Sequence, residues 1–176
     1  MLNFKNTPIR DLYIVNINPF SDIRGEFSRL FCEKEFKEIG LSKKIVNANY
    51  SKTLNKGSVR GMHYQESPYG ETKIIKCING IIYDVAIDMR KNSQTYLQYF
   101  GIELSQDNNT MLYVPEGFAH GFQALTDNAE IVYFNTQFYS PEHEKGVNII
   151  DPSVGIRWPI SIGHQSDKDK DINFLR

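Results

Sequence analysis

His63 is the residue of this sequence best suited to acid–base chemistry. It lies in the segment 59–65, Val-Arg-Gly-Met-His-Tyr-Gln, beside polar and cationic groups. A neutral imidazole near pH 7 is the usual general base of an enzyme. A histidine that only forms hydrogen bonds inside a barrel fits the same segment equally well. Because side chains alternate along a strand, Arg60 and His63 share one pocket only if the strand bends, and Gly61 is where a bulge costs least.

Tyr133 is a candidate proton donor on a predicted strand, 129–139, whose two faces differ in polarity. One face carries Tyr133, Asn135, Gln137 and Tyr139, and the other face is apolar. Two phenols and two amides on one face are typical of a pocket lining, and a phenol can protonate a carbon. Cross-strand packing of aromatic side chains is the alternative, and the residues alone favour it.

Three cations, Arg24, Arg60 and Lys73, lie in predicted strands or beside predicted turns. Guanidinium groups bind a diphosphate in a bidentate manner, and a positive charge stabilises an enolate oxygen. Solvated surface charge is the usual role of lysine and arginine, and each of the three fits it when taken alone. With His63 and Tyr133 in the same chain, a site for an anionic, enolate-forming substrate becomes a hypothesis.

The segment 115–122 has the spacing Pro-x-Gly-x-x-His of the second cupin motif, with the histidine at position 120. Many cupins bind a metal through three histidines and a glutamate. A metal site would need a histidine two residues after His63, but Gln65 stands there, while His143 and His164 lie in predicted loops. We therefore expect a site without metal or cofactor, which argues against a metal-dependent oxygenase.

Short strands separated by turn residues must position these side chains. The pattern predicts an all-β, jelly-roll type of sandwich with strands at 13–18, 73–78, 81–89, 96–104, 110–114, 120–125 and 129–139. Asn79-Gly80 is a strong hairpin signal and predicts that 73–78 pairs with 81–89. Only 33–39 reads as a helix, ended by Gly40. The charged stretch 165–176 is compatible with a loose tail or a docked one.

Composition limits the class of protein. The 176 residues suit a single domain spanning 1–176, and the net charge of -1 predicts neither a nucleic-acid partner nor an acidic membrane surface. The two cysteines are far apart without metal-site spacing. The sequence has no apolar stretch typical of a signal peptide or a membrane span, so we expect a cytoplasmic protein.

Taken together, the motifs resemble the dTDP-4-dehydrorhamnose 3,5-epimerase family and its relatives that act on other nucleotide-linked 4-keto sugars. The likeness runs from about Phe20 to the end of the chain. It is carried by the segments 22–25, 49–51, 60–65, 73–75, 84–90, 115–122, 151–152 and 156–159. Each is weak alone, but their order and spacing are specific. The resemblance implies a cupin fold, the double-stranded β-helix jelly roll with a few short helices.

The resemblance also implies catalytic roles at the matching positions. His63 corresponds to the base that removes a proton beside the ketone, and Asp169 to the carboxylate that orients this histidine. We therefore expect the C-terminal stretch to dock against His63. Tyr133 corresponds to the acid that returns a proton from the opposite face of the ring, and Lys73 to the cation beside the enolate oxygen. Such epimerases serve nucleotide-sugar biosynthesis for surface polysaccharide, such as capsule or lipopolysaccharide.

Substrate binding and assembly follow from the same resemblance. The substrate is a nucleotide-diphosphate sugar, and family members are homodimers in which an N-terminal segment crosses to the neighbouring subunit. The positions matched to substrate binding are Arg24 and Arg60 near the diphosphate and the polar Asn47, Asn49 and His120. We also assign to substrate binding Phe27 and Arg29, at the nucleotide end, and Tyr139, on the predicted strand face of Tyr133.

The nucleotide end departs from the family pattern. Where the family has two aromatics and a glutamate, this chain has Glu26, Phe27, Ser28 and Arg29, so Arg29 reverses the expected charge. Thymidine or guanosine, a hexose or a heptose, and inversion at C3 alone or at C3 and C5 all remain open. A keto-isomerase of the same fold and a non-catalytic sugar-binding cupin are the alternative functions.

Overall fold

The computed structural model of the protein describes residues 2–175 and consists mainly of antiparallel strands. The strands are β1 (Leu2–Asn6), β2 (Tyr13–Ile17), β3 (Phe20–Asp22), β4 (Gly25–Phe27), β5 (Asn47–Thr53), β6 (Val59–Gln65), β7 (Lys73–Asn79), β8 (Ile81–Asp88), β9 (Tyr99–Ser105), β10 (Thr110–Val114), β11 (Phe118–Ala124), β12 (Ala129–Asn135) and β13 (Glu144–Gly146). The helices are α1 (Glu33–Lys37), α2 (Asp167–Lys170) and a 3₁₀ turn at Pro141–His143.

Two large sheets form a sandwich. The six-stranded sheet has the order β1-β2-β10-β7-β12-β5, and the five-stranded sheet has the order β13-β6-β11-β8-β9. Strands β3 and β4 form a separate hairpin outside both sheets. The strand order alternates between distant parts of the sequence, as expected for a jelly roll.

Three apolar clusters hold the sandwich together. The inner cluster lies between the sheets and includes Ile75 and Leu112 from one sheet and Ile82 and Phe122 from the other. A second cluster lies on the outer face of the six-stranded sheet, where α1 contributes the fully buried Phe36. A third lies on the outer face of the five-stranded sheet, under the C-terminal segment. The C-terminal segment is therefore packed as part of the core and is not a loose tail.

The predicted hairpin at Asn79-Gly80 is wrong. Strand β7 pairs with β10 and β12, whereas β8 pairs with β9 and β11, so the chain crosses from one sheet to the other at this point. Gly80 has the positive φ of +72° that made the dipeptide a turn signal. Ile75 and Ile82 both face the inner core. The two strands therefore face each other across the sandwich instead of sharing a ladder.

Several boundaries also differ from the sequence-based expectation. Strand β9 begins at Tyr99, β11 already begins at Phe118, and α1 ends at Lys37. Strand β12 ends at Asn135, so Tyr139 lies in the following loop and does not continue the face of Tyr133. Strands β1, β3, β4, β5 and β13 and the short helix α2 were not predicted. Within residues 2–175, no helix is long and apolar enough to cross a membrane.

Candidate active site

Two adjoining cavities open where the two sheets face each other. The larger has a volume of 610 Å³ and the smaller 280 Å³. His63, Lys73 and Tyr133 line both of them. His63 comes from β6 of the five-stranded sheet, whereas Lys73 and Tyr133 come from β7 and β12 of the six-stranded sheet. Groups able to move protons therefore stand on opposite walls of one space.

His63 forms a dyad with Asp169. Their Nε2 and Oδ1 atoms are 2.7 Å apart, and the side chains are 30% and 6% exposed, respectively. The short helix α2 carries Asp169, and its N-cap residue Ser166 accepts a hydrogen bond from the Asp169 backbone N–H at 3.1 Å. The predicted contact of the C-terminal stretch with His63 is thus present. A buried carboxylate on one ring nitrogen fixes the tautomer and stabilises the protonated ring.

A bulge in β6 brings Arg60 and His63 to the same cavity. His63 pairs with His120, but Arg60 pairs with Phe122, so three steps on β6 oppose two on β11. Gly61 lies inside the bulge at φ +107°, and a Cβ there would stand 2.6 Å from the carbonyl oxygen of His120. The predicted bend at Gly61 is confirmed. Both side chains line the larger cavity.

Lys73 and Tyr133 form the opposite wall. The Lys73 ammonium donates to the carbonyl oxygen of His63 at 3.4 Å and forms an ion pair with Glu71 at 3.1 Å. Burial raises the pKa of the Tyr133 phenol, the negative charge of Glu71 raises it further, and Arg60 opposes this rise. The phenol is therefore protonated at neutral pH and able to give up a proton to a strong carbon base.

His120 has a carboxylate partner of its own at the larger cavity. Its Nε2 lies 2.8 Å from Oδ1 of Asp84, which is fully buried. The other Asp84 oxygen has no hydrogen-bond partner within the described residues. Asp84 pairs with Phe122 across β8 and β11, so it is a diagonal neighbour of His120 on the same sheet face. The sequence predicted His120 at the site but not this partner.

The other positions matched to substrate binding divide into two groups. Arg60 lines the larger cavity, where its guanidinium donates to Thr53 Oγ1 at 2.9 Å and to the Lys52 carbonyl at 3.1 Å. Asn47, Asn49 and Tyr139 line the smaller cavity. Although Tyr139 is not on β12, the loop returns it to this cavity.

Arg24, Phe27 and Arg29 do not line either cavity of their own chain, as far as residues 2–175 form them. Arg24 lies in the turn of the β3–β4 hairpin and binds Asp22, and the Phe27 side chain is 71% exposed. Arg29 lies 3.4 Å from Glu35 at the start of α1. The cavities that residues 2–175 of a single chain form therefore do not include these three residues, because the hairpin that carries Arg24 and Phe27 lies outside both large sheets. Their assignment to substrate binding stays a prediction.

Sequence reasoning missed several charged residues at the site. Glu71 pairs with Lys73, and Glu144 accepts hydrogen bonds from Tyr139 at 2.7 Å and from Lys168 at 2.5 Å. Glu71 stands two residues before Lys73, so alternation along an extended chain was a usable signal. Nothing in the local sequence pointed to Glu144, because its partner Lys168 is contributed by α2.

The described residues contain no group of three or more His, Cys, Asp or Glu side chains arranged to hold a metal ion. Gln65, at the position where a metal cupin would need a histidine, donates to the carbonyl oxygens of Tyr69 and Phe138 at 2.9 and 3.2 Å. His143 stacks on Tyr69 with ring centroids 4.0 Å apart. Gln65 and His143 therefore contact neighbouring loop residues and not His63, Lys73 or Tyr133.

Comparison with known proteins identifies the family. The model of the family described as dTDP-4-dehydrorhamnose 3,5-epimerase matches residues 6–176. The relative of that name from Shigella flexneri is 43% identical over 169 residues, which cover 96% of this chain and 93% of the relative. One from Methanothermobacter thermautotrophicus is 40% identical, covering 98% and 94%. The chain belongs to the dTDP-4-dehydrorhamnose 3,5-epimerase family.

Solved structures agree with this assignment. The family's structure from Bacillus anthracis, with TDP and PPi bound, superposes with a TM-score of 0.95 at 35% identity and covers 99% of this chain and 100% of that one. A 3'-monoepimerase from Streptomyces bikiniensis, in complex with dTDP-quinovose, gives 0.88 at 30% identity, covering 96% and 85%. The predicted cupin jelly roll, the enzyme class of isomerase and the epimerase activity in nucleotide-sugar biosynthesis are confirmed.

Proposed function

We propose that this epimerase inverts C3, C5 or both of a thymidine-diphosphate-linked 4-keto-6-deoxy sugar, by proton removal and return through an enolate. The observation that carries the proposal is the position of His63 and Tyr133 on opposite sheets of the sandwich, with Lys73 beside them. The names of the relatives and the dTDP sugars bound in solved family structures support the thymidine nucleotide. Its product would feed surface polysaccharide synthesis.

The chemistry requires each of these groups. A 4-keto group acidifies the hydrogens on C3 and C5, because the carbanion spreads onto the carbonyl oxygen. His63, oriented by Asp169, takes the proton, and the Lys73 ammonium stabilises the enolate oxygen. Tyr133 then delivers a proton from the opposite wall. Without a donor on that wall, the proton would return to the face it left, and no inversion would result.

The test is incubation in deuterated water with 4-keto sugars linked to thymidine or guanosine diphosphate, as hexose and as heptose, followed by NMR. Each inverted carbon takes up deuterium from solvent. A product inverted and labelled at both C3 and C5 indicates both inversions, and a product inverted and labelled at C3 alone identifies a C3 epimerase, the alternative that the likeness to a 3'-monoepimerase favours. If no sugar is inverted or labelled faster than in the His63→Asn control, the proposal is wrong.

We further propose a homodimer in which the N-terminal hairpin of one subunit completes the site of the other. Three observations support it: Arg24 and Phe27 match substrate-binding positions, they lie outside their own cavity, and the hairpin exposes Phe20 and Ile23 to solvent. Large exposed apolar side chains grouped on one hairpin are typical of an interface.

Mixed dimers test the exchange. In hybrids of His63→Asn with Arg24→Ala, one of the two sites would receive intact His63 from one chain and intact Arg24 from the other. Because a two-fold dimer has two such sites, about half of the wild-type activity should return in the hybrid. Sedimentation would show whether the protein is a dimer. A hybrid no more active than its parents contradicts the exchange, provided that each single variant is inactive.

A further inference from the structure

Glu71 occupies a fixed place at the edge of the site. It precedes β7 and stands two residues before Lys73, so both side chains leave the backbone on the same side. The backbone between them is tied to the end of β12. The Thr72 N–H donates to Thr136 Oγ1 at 2.8 Å, and the Thr136 N–H donates to the Thr72 carbonyl at 3.2 Å. Glu71 therefore approaches the smaller cavity from a rigid segment.

Both oxygens of the Glu71 carboxylate are engaged. Oε1 lies 3.1 Å from the Lys73 ammonium, and Oε2 accepts a hydrogen bond from Asn135 Nδ2 at 2.5 Å. Asn135 in turn accepts from Asn49 Nδ2 at 3.1 Å. The Glu71 and Lys73 side chains are each 12% exposed. This chain of contacts links β7, β12 and β5 at the smaller cavity, which Tyr133 also lines and where Tyr133 pairs with Asn49 across the sheet.

The contacts determine where the Lys73 ammonium can act. An ammonium group has three N–H donors. Within the described residues, one N–H of Lys73 is directed at Glu71 and a second at the carbonyl oxygen of His63. The third N–H is left for a substrate oxygen. We propose that Glu71 is a positioning residue, which holds the Lys73 ammonium for the enolate oxygen and keeps a negative charge beside Tyr133. The inference rests on the proposed epimerase mechanism.

The negative charge of Glu71 has a second consequence at Tyr133. After burial, it is the second cause that raises the pKa of this phenol. The other charged or titratable groups lining the two cavities are Lys52, Arg60, His63, Lys73, His120, Glu144, His164, Lys168 and Asp169, together with the phenols Tyr64 and Tyr139. Removing the Glu71 charge lowers the pKa of Tyr133. Since the acid acts in its protonated form, the alkaline limb of the rate profile must then move to lower pH.

The test is Glu71→Gln, which keeps the length and one acceptor but removes the charge. We expect kcat to fall about 10- to 100-fold with KM changed less than about threefold, because the loss is one of positioning. The alkaline limb of the kcat profile should move to lower pH, and Glu71→Asp should restore its position. Glu116→Gln is the matched control, because Glu116 also pairs with a lysine, Lys43 at 2.8 Å, but lines neither site cavity within the described residues.

The outcomes separate this inference from the proposed function. If the wild type epimerises and Glu71→Gln keeps its kcat or its alkaline limb, the role of Glu71 is overturned while the function stands. If the wild type epimerises no sugar, the proposed function fails. The effect of the Glu71 charge is then measured without substrate. The absorbance of ionised tyrosine is followed against pH in the wild type and in Glu71→Gln, and the titration of Tyr133 is obtained by subtracting the curve of the same protein carrying Tyr133→Phe. A Tyr133 titration unchanged by Glu71→Gln would overturn the inference.

Discussion

Replacing Asp169 by asparagine should remove the charge that supports His63 without changing the shape of the site. Asp169 Oδ1 lies 2.7 Å from the His63 ring, and Oδ2 lies 3.5 Å from the Gly61 N–H. An asparagine oxygen can replace one acceptor, but the amide carries no charge, and its N–H can donate to His63 Nε2 and so favour the other ring tautomer. The proton taken from the substrate would then reside on an imidazolium that lacks its counter-ion.

The magnitude follows from the geometry. Opposite charges about 4 Å apart attract by about 4 kcal/mol at the effective dielectric constant of about 20 that suits protein sites. His63 is 30% exposed, so solvent screens part of this attraction, and about 2 kcal/mol is a reasonable lower value. These energies correspond to a fall in kcat of about 30- to 1000-fold.

The assay is steady-state epimerisation by Asp169→Asn, with thermal unfolding measured in parallel. Asp167→Asn is the matched control, because Asp167 lies on the same helix, pairs with Lys170 and has a side chain that is 97% exposed. The control should keep wild-type kcat. If Asp169→Asn retains more than about half of the wild-type kcat, the carboxylate does not support the base, since that loss is far below the range for acid–base groups.

Three further predictions concern the base, the metal and acid stability. His63→Asn should lower kcat by about 100- to 10,000-fold with little change in melting temperature or nucleotide-sugar binding, and a variant with half the wild-type kcat would exclude the role. Excess chelator should leave the rate undiminished, and loss of activity that one divalent ion restores would contradict the metal-free site. Burial alone would raise the pKa of Asp88, but hydrogen bonds from Arg90, Ser93 and Thr95 lower it from 3.8 to about 2. This stabilisation is complete above the unfolded pKa and disappears as the pH falls toward 2, so Asp88→Asn should cost about 2 kcal/mol of unfolding free energy at pH 7 and almost nothing at pH 2. Urea unfolding at both pH values measures this, and an equal cost at both would refute the assignment.

The parts of the site that depend on local geometry were predictable. The bend at Gly61 followed from strand alternation, because Arg60 and His63 can share a cavity only across a bulge. The contact between Asp169 and His63 came from the family resemblance, since 106 residues separate them and no local pattern joins them. Strand β8, with its clear alternation, and the short strand β10 were found nearly at their observed bounds.

The parts that depend on distant partners were not predictable. Asn79-Gly80 has the residue types of a hairpin turn. The sheet that β8 joins, however, depends on the order of all the strands and not on the turn. Strand β12 ends at Asn135, which pairs with Asn47, the first residue of its partner β5. Strand β5 was not predicted, because Asn47–Thr53 is mostly polar. The residues of the β3–β4 hairpin, which carries Arg24, are all exposed in their own chain. No pattern of buried apolar residues therefore predicts where the hairpin lies.

Substitution of Tyr133, on the far wall of the cavity, tests the proposed proton transfer most directly. In deuterated water, Tyr133→Phe should keep exchanging substrate protons, because His63 still removes them and Lys73 still holds the enolate. The enolate should then collapse to the starting stereoisomer. The measurement is the ratio of deuterium in recovered substrate to epimer formed, by NMR and mass spectrometry. We expect labelled substrate with little epimer. Exchange and epimer formation that fall by the same factor would contradict the assignment of Tyr133 as the acid.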